Sequence, residues 1–179
     1  STVYLSDPEM SLDVGAIAKG YAVEQVARIA FENGFTSGLI SVGGNVRAIG
    51  RKAVNNAPWN VGIQNPVKCE PDLHVVNLVD LSLVTSGTYE RYYTVDGVNY
   101  HHIIDPDTMY PADYFTAVTI LCKDSGIADA LSTSVFNMPF EKGRDIIEKL
   151  PDTEALWGMK DGTLKYSTHF KDFIKKTEQ

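Results

Sequence analysis

Apolar positions along this chain fall into short runs broken by turn residues, with a helical period in only a few places. Between residues 17 and 31 apolar side chains recur near helical spacing and stop before Gly34, which predicts a first helix. We predict two further helices close together, over residues 127–137 and 141–150. A short helix over residues 169–176 is predicted at the end of the chain.

The other apolar runs have the length of β-strands. Gly43-Gly44-Asn45, Asp96-Gly97 and Asp161-Gly162 each predict a tight hairpin turn between two such runs. The run over residues 38–42 is predicted to be a buried strand. The full set of predicted strands covers residues 2–5, 38–42, 46–49, 59–64, 74–79, 82–84, 89–95, 98–104, 115–121, 155–159 and 164–166.

Hairpins dominate this order of elements, and helices are interspersed among them. Such an order favours an α+β fold with a mostly antiparallel sheet and packed helices over a doubly wound parallel sheet. A length of 179 residues is enough for one domain with a substantial core, because domains usually run to about 100–150 residues. We therefore predict a single domain over residues 1–179.

Composition and charge narrow the possible partners. The chain is 44% hydrophobic and 22% charged, which is ordinary for a globular protein. Its formal net charge of −7 argues against a nucleic-acid partner, because no basic stripe is available to neutralise phosphates. The longest apolar stretches are strand-sized, so no membrane-spanning segment is expected in this chain.

The most informative chemical pattern is Asp129 and Thr133, four residues apart on one predicted helix. Residues at this spacing share a helical face, so a carboxylate and a hydroxyl can point at the same ion. Oxygen ligands of this kind suit a hard cation such as Mg²⁺. The alternative is an acid that interacts with the helix dipole and a threonine bonded back to its own helix.

A second candidate segment runs from Asp13 to Gly20, at the start of the first predicted helix. The free N–H groups after Gly15 could hold phosphate oxygens, and Lys19 would add a positive charge. The spacing is not that of a Walker motif. The alternative is an ordinary helix start capped by Asp13, with Lys19 in solvent.

Two polar segments follow predicted strands. Thr85-Ser86-Gly87-Thr88 is predicted to be a loop whose hydroxyls either contact a ligand or simply cap a turn. His101 and His102 lie near the end of a later strand. Because neighbouring residues of a strand face opposite sides, only one of them can line a given pocket, either as a general base or as a surface imidazole.

Six motifs stand together in the order seen in the ApbE family of FAD:protein FMN transferases, which this chain therefore resembles over nearly its whole length. They are Asp13-Val14-Gly15-Ala16-Ile17-Ala18-Lys19-Gly20-Tyr21-Ala22-Val23, Ser41-Val42-Gly43-Gly44-Asn45, Trp59-Asn60-Val61-Gly62-Ile63, Thr85-Ser86-Gly87-Thr88-Tyr89-Glu90-Arg91, His102-Ile103-Ile104-Asp105-Pro106 and Ala128-Asp129-Ala130-Leu131-Ser132-Thr133.

The resemblance implies a T-fold-like structure and a Mg²⁺-dependent transfer of FMN from FAD to a threonine hydroxyl of an acceptor flavoprotein, with AMP leaving. It implies that His102 is the catalytic base. The roles it implies for the other residues are a metal site at the Ala16 carbonyl, Asp129 and Thr133, and FAD contacts at Asp13, Lys19, Thr85, Ser86, Gly87 and Ile104.

The chain also departs from the family pattern. It begins near the middle of that pattern, and Asp107-Thr108-Met109-Tyr110-Pro111 replaces a more usual Thr-Gly-x-Pro turn. Two other functions therefore stay open: hydrolysis of FAD to FMN and AMP, and a truncated, non-catalytic module that binds a flavin or nucleotide. By analogy with the family we expect a protein that is exported or anchored to a membrane facing away from the cytoplasm.

Overall fold

The computed structural model describes residues 2–67 and 69–176 of the protein. More residues of this part lie in strands than in helices. Its ten strands are β1 (Gly38–Val42), β2 (Asn45–Ile49), β3 (Trp59–Ile63), β4 (His74–Leu78), β5 (Ser82–Gly87), β6 (Tyr92–Val95), β7 (Val98–His101), β8 (Phe115–Cys122), β9 (Glu154–Met159) and β10 (Leu164–Tyr166).

Six of these strands form one central sheet in the order β1-β2-β5-β8-β9-β10. Two hairpins, β3–β4 and β6–β7, form separate two-stranded sheets. Every strand pairing in the described residues is antiparallel. The predicted α+β class with a mostly antiparallel sheet is therefore confirmed.

The helices are α1 (Ala18–Glu32), α2 (Ser125–Phe136) and α3 (Phe140–Ile147), followed by a 3₁₀ turn at Phe170–Phe173. Helix α2 begins two residues earlier than predicted because Asp124 Oδ1 accepts hydrogen bonds from the Gly126 and Ile127 N–H groups. The predicted helix over residues 169–176 is wrong beyond the 3₁₀ turn. Ile174 is extended there and forms a β-bridge with Val76.

The alternation of side chains along the central strands divides the core between two faces of the sheet. On one face the helices cover a cluster that includes Val84, Val118, Ile120, Phe136 and Trp157. On the other face the β3–β4 hairpin and Phe170 cover Ala48, Leu83, Leu121 and Leu156. Full burial of an aliphatic side chain contributes roughly 1.5–3 kcal/mol, so these two clusters stabilise the sheet and fix which residues face the helices.

Three predictions about strands are wrong. Residues 2–5 form no strand, and their side chains lie exposed. Strand β1 has its predicted bounds but is only partly buried, because it is an edge strand. Thr85, Ser86 and Gly87 belong to β5 rather than to a loop, since they pair with residues 117–119 of β8.

The β6–β7 hairpin turns at Asp96-Gly97 as predicted, but its strands are shorter than the sequence suggested. After His101 the chain pairs with a later segment instead, through an Ile104–Pro111 bridge and a hydrogen bond from the Ala112 N–H to the Ile103 carbonyl. His102 therefore lies just beyond the end of β7. No helix among the described residues is long and apolar enough to cross a membrane.

Candidate active site

Helices α1 and α2 cross at a buried carboxylate, Asp129, which is only 2% exposed. Asp129 Oδ2 accepts a 2.8 Å hydrogen bond from the Gly20 N–H, and Oδ1 lies 3.4 Å from Lys19 Nζ. Because the N-cap residue of α1, Ile17, has no side-chain cap, the carboxylate of α2 satisfies a free N–H in the first turn of α1. This contact joins two parts of the chain that are 109 residues apart.

The close helix crossing depends on Gly20. A Cβ built there would lie 2.5 Å from Asp129 Cβ and closer still to the Ser125 carbonyl oxygen. No real side chain tolerates such contacts, so a glycine is required for the backbones to approach. Asp13 does not cap α1, since its Oδ1 accepts instead from the Gly15 N–H at 2.6 Å. The alternative interpretation of Asp13 as a helix cap is therefore wrong.

A row of hydroxyls extends the polar cluster from Asp129 along α2 to strand β5. Ser86 Oγ lies 2.8 Å from Ser132 Oγ and 3.4 Å from Thr133 Oγ1. Ser132 Oγ donates to the Asp129 carbonyl oxygen at 2.9 Å. Asp129, Thr133, Ser86 and Lys19 are thus brought to one region by α1, α2 and β5.

The oxygen atoms in this region fit a small hard cation. No group of three or more His, Cys, Asp or Glu side chains that could hold a metal occurs in residues 2–67 and 69–176. Mg²⁺ typically takes only one or two carboxylates, with other oxygens completing its coordination. Asp129 would supply the carboxylate and Thr133 a hydroxyl.

The Ala16 carbonyl, two residues before the start of α1, is the third predicted ligand. The Gly20 N–H, four residues further on, donates to Asp129 and not to this carbonyl. The hydrogen bonds found among residues 2–67 and 69–176 include none to the Ala16 carbonyl. This oxygen is therefore available to a ligand, and the role of Ala16 in binding a metal stays a prediction.

The two histidines differ in environment, as strand alternation requires. His101 is buried, its Nε2 lies 3.0 Å from the Ala112 carbonyl oxygen, and its Nδ1 accepts from the Ile103 N–H at 3.3 Å. Its ring also packs edge-on against Phe136. With both ring nitrogens engaged, His101 is a structural residue in this arrangement.

His102 is exposed, and its Nδ1 lies 3.2 Å from the Arg91 carbonyl oxygen. Because a carbonyl only accepts, Nδ1 carries the proton and Nε2 keeps a free lone pair. Partial burial lowers the pKa of His102 below 6.5, and the charges of Arg91, His101 and Lys19 act in the same direction against the opposing effect of the Arg91 carbonyl. The neutral imidazole is therefore the main form at pH 7.

The other residues predicted to contact FAD do not converge on the Asp129 cluster. The Thr85 hydroxyl lies 2.9 Å from Oγ1 of Thr119 on the neighbouring strand β8. Because side chains alternate along a strand, Thr85 points to the opposite face of the sheet from Ser86. Gly87 lies against the ring of Tyr89, whose pKa burial and the Glu90 charge raise to about 12. Ile104 is 48% exposed beside its bridge to Pro111.

Three features of the site were missed from sequence. Gly20 could have been found, since an isolated glycine inside a helical pattern often marks a close packing contact. Ser132 stands three residues after Asp129 and could have been found by helical spacing. The carbonyl of Arg91 has no sequence signal, because its role depends on where the β6–β7 hairpin places the backbone.

The described residues thus form an antiparallel α+β structure with a carboxylate, hydroxyls and a lysine gathered where α1, α2 and β5 meet. A sequence model described as the ApbE family matches residues 2–157, and the chain belongs to the ApbE family. The family resemblance read from the six motifs is thereby confirmed.

Several relatives agree in sequence and fold. The FAD:protein FMN transferase of Treponema pallidum is 38% identical over 97% of this chain and 51% of its own length. The ApbE protein of Thermotoga maritima matches with a TM-score of 0.83 and 38% identity over 92% of this chain and 54% of that structure. The flavin transferase ApbE of Vibrio cholerae matches with a TM-score of 0.79 and 32% identity, over 93% and 53% respectively. The chain spans about half the length of the relatives it matches.

Proposed function

We propose that the protein containing this chain transfers FMN from FAD to a threonine hydroxyl of an acceptor flavoprotein, with Mg²⁺, and releases AMP. The observation that carries the proposal is the contact of Asp129 on α2 with the first turn of α1, beside the Thr133 and Ser86 hydroxyls. Curated relatives named FAD:protein FMN transferase support the class of reaction.

The first turn of α1 is suited to an anionic phosphate. The Ala18 and Gly20 N–H groups already donate to the Val14 carbonyl and to Asp129, so the positive end of the helix dipole and the one-third exposed Lys19 are what favour negative charge here. Ser86 and Thr133 would add hydroxyl donors. We therefore assign the pyrophosphate of FAD to this region, with Asp13, Thr85, Gly87 and Ile104 as further predicted contacts.

Asp129, Thr133 and the Ala16 carbonyl would hold the Mg²⁺. When bound, the ion would neutralise the pyrophosphate and stabilise the charge that develops on the leaving AMP. The buried Asp129 is already oriented by the Gly20 N–H, so little reorganisation of the carboxylate is needed.

His102 would act on the acceptor. Its Nε2 lone pair takes the proton of the threonine hydroxyl while the threonine oxygen bonds to the phosphorus of the FMN half. The bond between that phosphorus and the bridging oxygen breaks, and the bridging oxygen leaves with AMP. Threonine is a poor nucleophile at neutral pH, so such a base contributes roughly 10²–10⁴-fold.

The test is covalent flavin transfer. The natural protein that contains this chain is incubated with FAD, MgCl₂ and an acceptor protein that the Vibrio cholerae relative modifies. We expect the acceptor to gain flavin fluorescence on a denaturing gel and the mass of one FMN less one water. An acceptor with valine in place of the modified threonine is the control. No product, under conditions where the relative gives product, would contradict the proposal.

Hydrolysis is the competing reaction, because the exposed position of His102 leaves its Nε2 open to water as well as to threonine. It would release FMN and AMP at the same rate with and without the acceptor. Release of AMP that depends on the acceptor threonine separates transfer from hydrolysis.

A further inference from the structure

A cleft of about 530 Å³ lies beside the β6–β7 hairpin, and none of the residues predicted for the site lines it. Its walls are rich in tyrosine. They include Tyr89, Tyr92, Val98, Asn99, Tyr100 and Tyr110. The cleft also contains His101, so it begins one residue away from His102.

The free edge of β7 forms one wall of this cleft. Among the described residues β7 pairs only with β6. In an antiparallel pair, successive residues alternate between bonding the partner strand and facing away from it. The His102 N–H donates to the Arg91 carbonyl at 3.3 Å, so His102, Tyr100 and Val98 bond towards β6. The backbone groups of Asn99 and His101 therefore face away from β6, towards the cleft.

This outer edge is already used as a pairing surface further along the chain. The Ile103 carbonyl accepts from the Ala112 N–H at 2.9 Å, and the Asp105 N–H donates to the Tyr110 carbonyl at 2.8 Å. After Ala112 the chain leaves the edge to enter β8. The exposed Asn99 is the next outward-facing position beyond His101, and no segment in the described residues pairs with it.

We propose that an extended segment of the acceptor protein adds as a strand to this edge of β7, continuing the line of the segment Tyr110–Ala112. The proposal rests on the proposed function and names the surface that the acceptor uses. Main-chain hydrogen bonds at Asn99 would hold the segment, and the tyrosines would receive alternate side chains. The outward-facing His101 adjoins His102 in the chain, so a segment bound along this edge would lead towards the proposed base.

The charges of the cleft favour a polypeptide over the phosphates of FAD. Its two oppositely charged residues, Asp113 and Lys160, form a 2.6 Å ion pair with each other. The described lining therefore leaves no unpaired cation for a pyrophosphate. Tyrosine rings combine an apolar body with a hydroxyl, which suits a peptide surface.

Two exposed valines of the hairpin allow a matched test. Val98 lines the cleft and is 53% exposed, whereas its cross-strand neighbour Val95 is 49% exposed and does not. We expect Val98→Lys to raise the KM for the acceptor about tenfold while Val95→Lys leaves it within twofold. Asn99→Pro, which removes an outward N–H that an edge strand can spare, should have an effect similar to that of Val98→Lys.

Binding is measured separately from catalysis. The Kd of the same acceptor protein is determined without FAD for the wild type and each variant, alongside the KM for FAD. The expected result is a weaker Kd for Val98→Lys and Asn99→Pro, with the KM for FAD and acceptor-independent FAD cleavage unchanged.

Each contrary outcome has its own meaning. Normal transfer with unchanged acceptor KM and Kd in all three variants would overturn the edge proposal and leave the proposed function intact. A raised KM for FAD would assign the cleft to the nucleotide, and a loss of self-association in Val98→Lys with unchanged acceptor binding would assign the edge to a second copy of the chain. If the wild type binds the acceptor but transfers no FMN, the proposed function fails while the Kd values still decide the edge.

Discussion

The α1–α2 crossing and the end of the β6–β7 hairpin carry the two halves of the proposed chemistry, and they are built differently. Asp129 is buried and is held by the Gly20 N–H. A methyl group added at Gly20 would collide with α2. His102 is exposed and positioned mainly by one backbone carbonyl. The first region offers fixed dipoles and an oriented carboxylate, whereas the second leaves a ring nitrogen accessible.

The difference matches the size of the expected substrates. A phosphate and a metal ion need ligands held in a narrow geometry, which a packed helix crossing provides. An acceptor protein needs an open approach to the base, which a lightly packed hairpin provides. The predictions below test whether function and stability divide between the two regions in this way.

The largest effect on activity is expected from His102→Gln, which removes the free imidazole nitrogen. Transfer should fall roughly 10²–10⁴-fold, since the threonine hydroxyl loses its base. The free energy of unfolding should change little because the side chain is exposed. His169→Gln, at another exposed histidine with no contact to the site, is the control. A rate within threefold of wild type would remove His102 from the mechanism.

The pH dependence of transfer gives a second check on the same residue. The base acts only when neutral, and the pKa of His102 is lowered from 6.5 chiefly by burial. The rate should therefore be level near pH 7 and fall as the pH drops through that lowered pKa. The residual rate of His102→Gln should lose this dependence. An identical acid limb in the variant would show that another group titrates.

At the helix crossing, Asp129→Asn should lower transfer about a hundredfold or more, because the amide keeps an oxygen for the Gly20 N–H but loses the charge that holds Mg²⁺. Measured rates across a Mg²⁺ titration should show a much weaker apparent affinity. Asp145→Asn, at an exposed aspartate of α3, is the matched control. Unchanged Mg²⁺ affinity in Asp129→Asn would place the ion elsewhere.

Gly20→Ala tests the packing of the same crossing. The added Cβ would collide with Ser125 and Asp129, so we expect the free energy of unfolding to fall by about 1–3 kcal/mol in urea denaturation. Gly143→Ala in α3 is the control, since its nearest neighbour would be Val135 Cβ at 3.3 Å. Equal losses in the two variants would mean that the crossing is no more tightly packed than the rest of the helical layer.

The smallest effect is expected near the hairpin, from Met109→Gly. Met109 has a φ of +62°, a left-handed conformation that is costly for a side chain of this kind. Relief of this strain, less the entropy that glycine adds to the unfolded chain, should stabilise the protein by about 0.5–1 kcal/mol. Asp96→Gly, at φ +48°, should gain less because aspartate tolerates this conformation better. A loss of stability in Met109→Gly would show that contacts of the methionine side chain outweigh the backbone strain.

The central elements could be predicted from the sequence because their signals are local. The helical period before Gly34 gave α1 to within one residue, and the Gly43-Gly44 and Asp96-Gly97 turns gave two hairpins, with positive φ at both turn positions in each. The pairing of Asp129 with Thr133 on one helical face is equally local. Bounds were wrong where a distant segment decided them, as for the Thr85–Gly87 part of β5.

The sequence alone determined most of the elements, the antiparallel class and the residue types that the chemistry requires, because hydrophobic period, turn residues and motif order act over short stretches. Only the tertiary structure decided that Asp129 contacts the start of α1 and that His102 rather than His101 is open to solvent. It also decided that the outer edge of β7 has no partner strand within residues 2–67 and 69–176. These depend on contacts between residues far apart in the chain, and their geometry is set by the packing of the whole sheet against its helices.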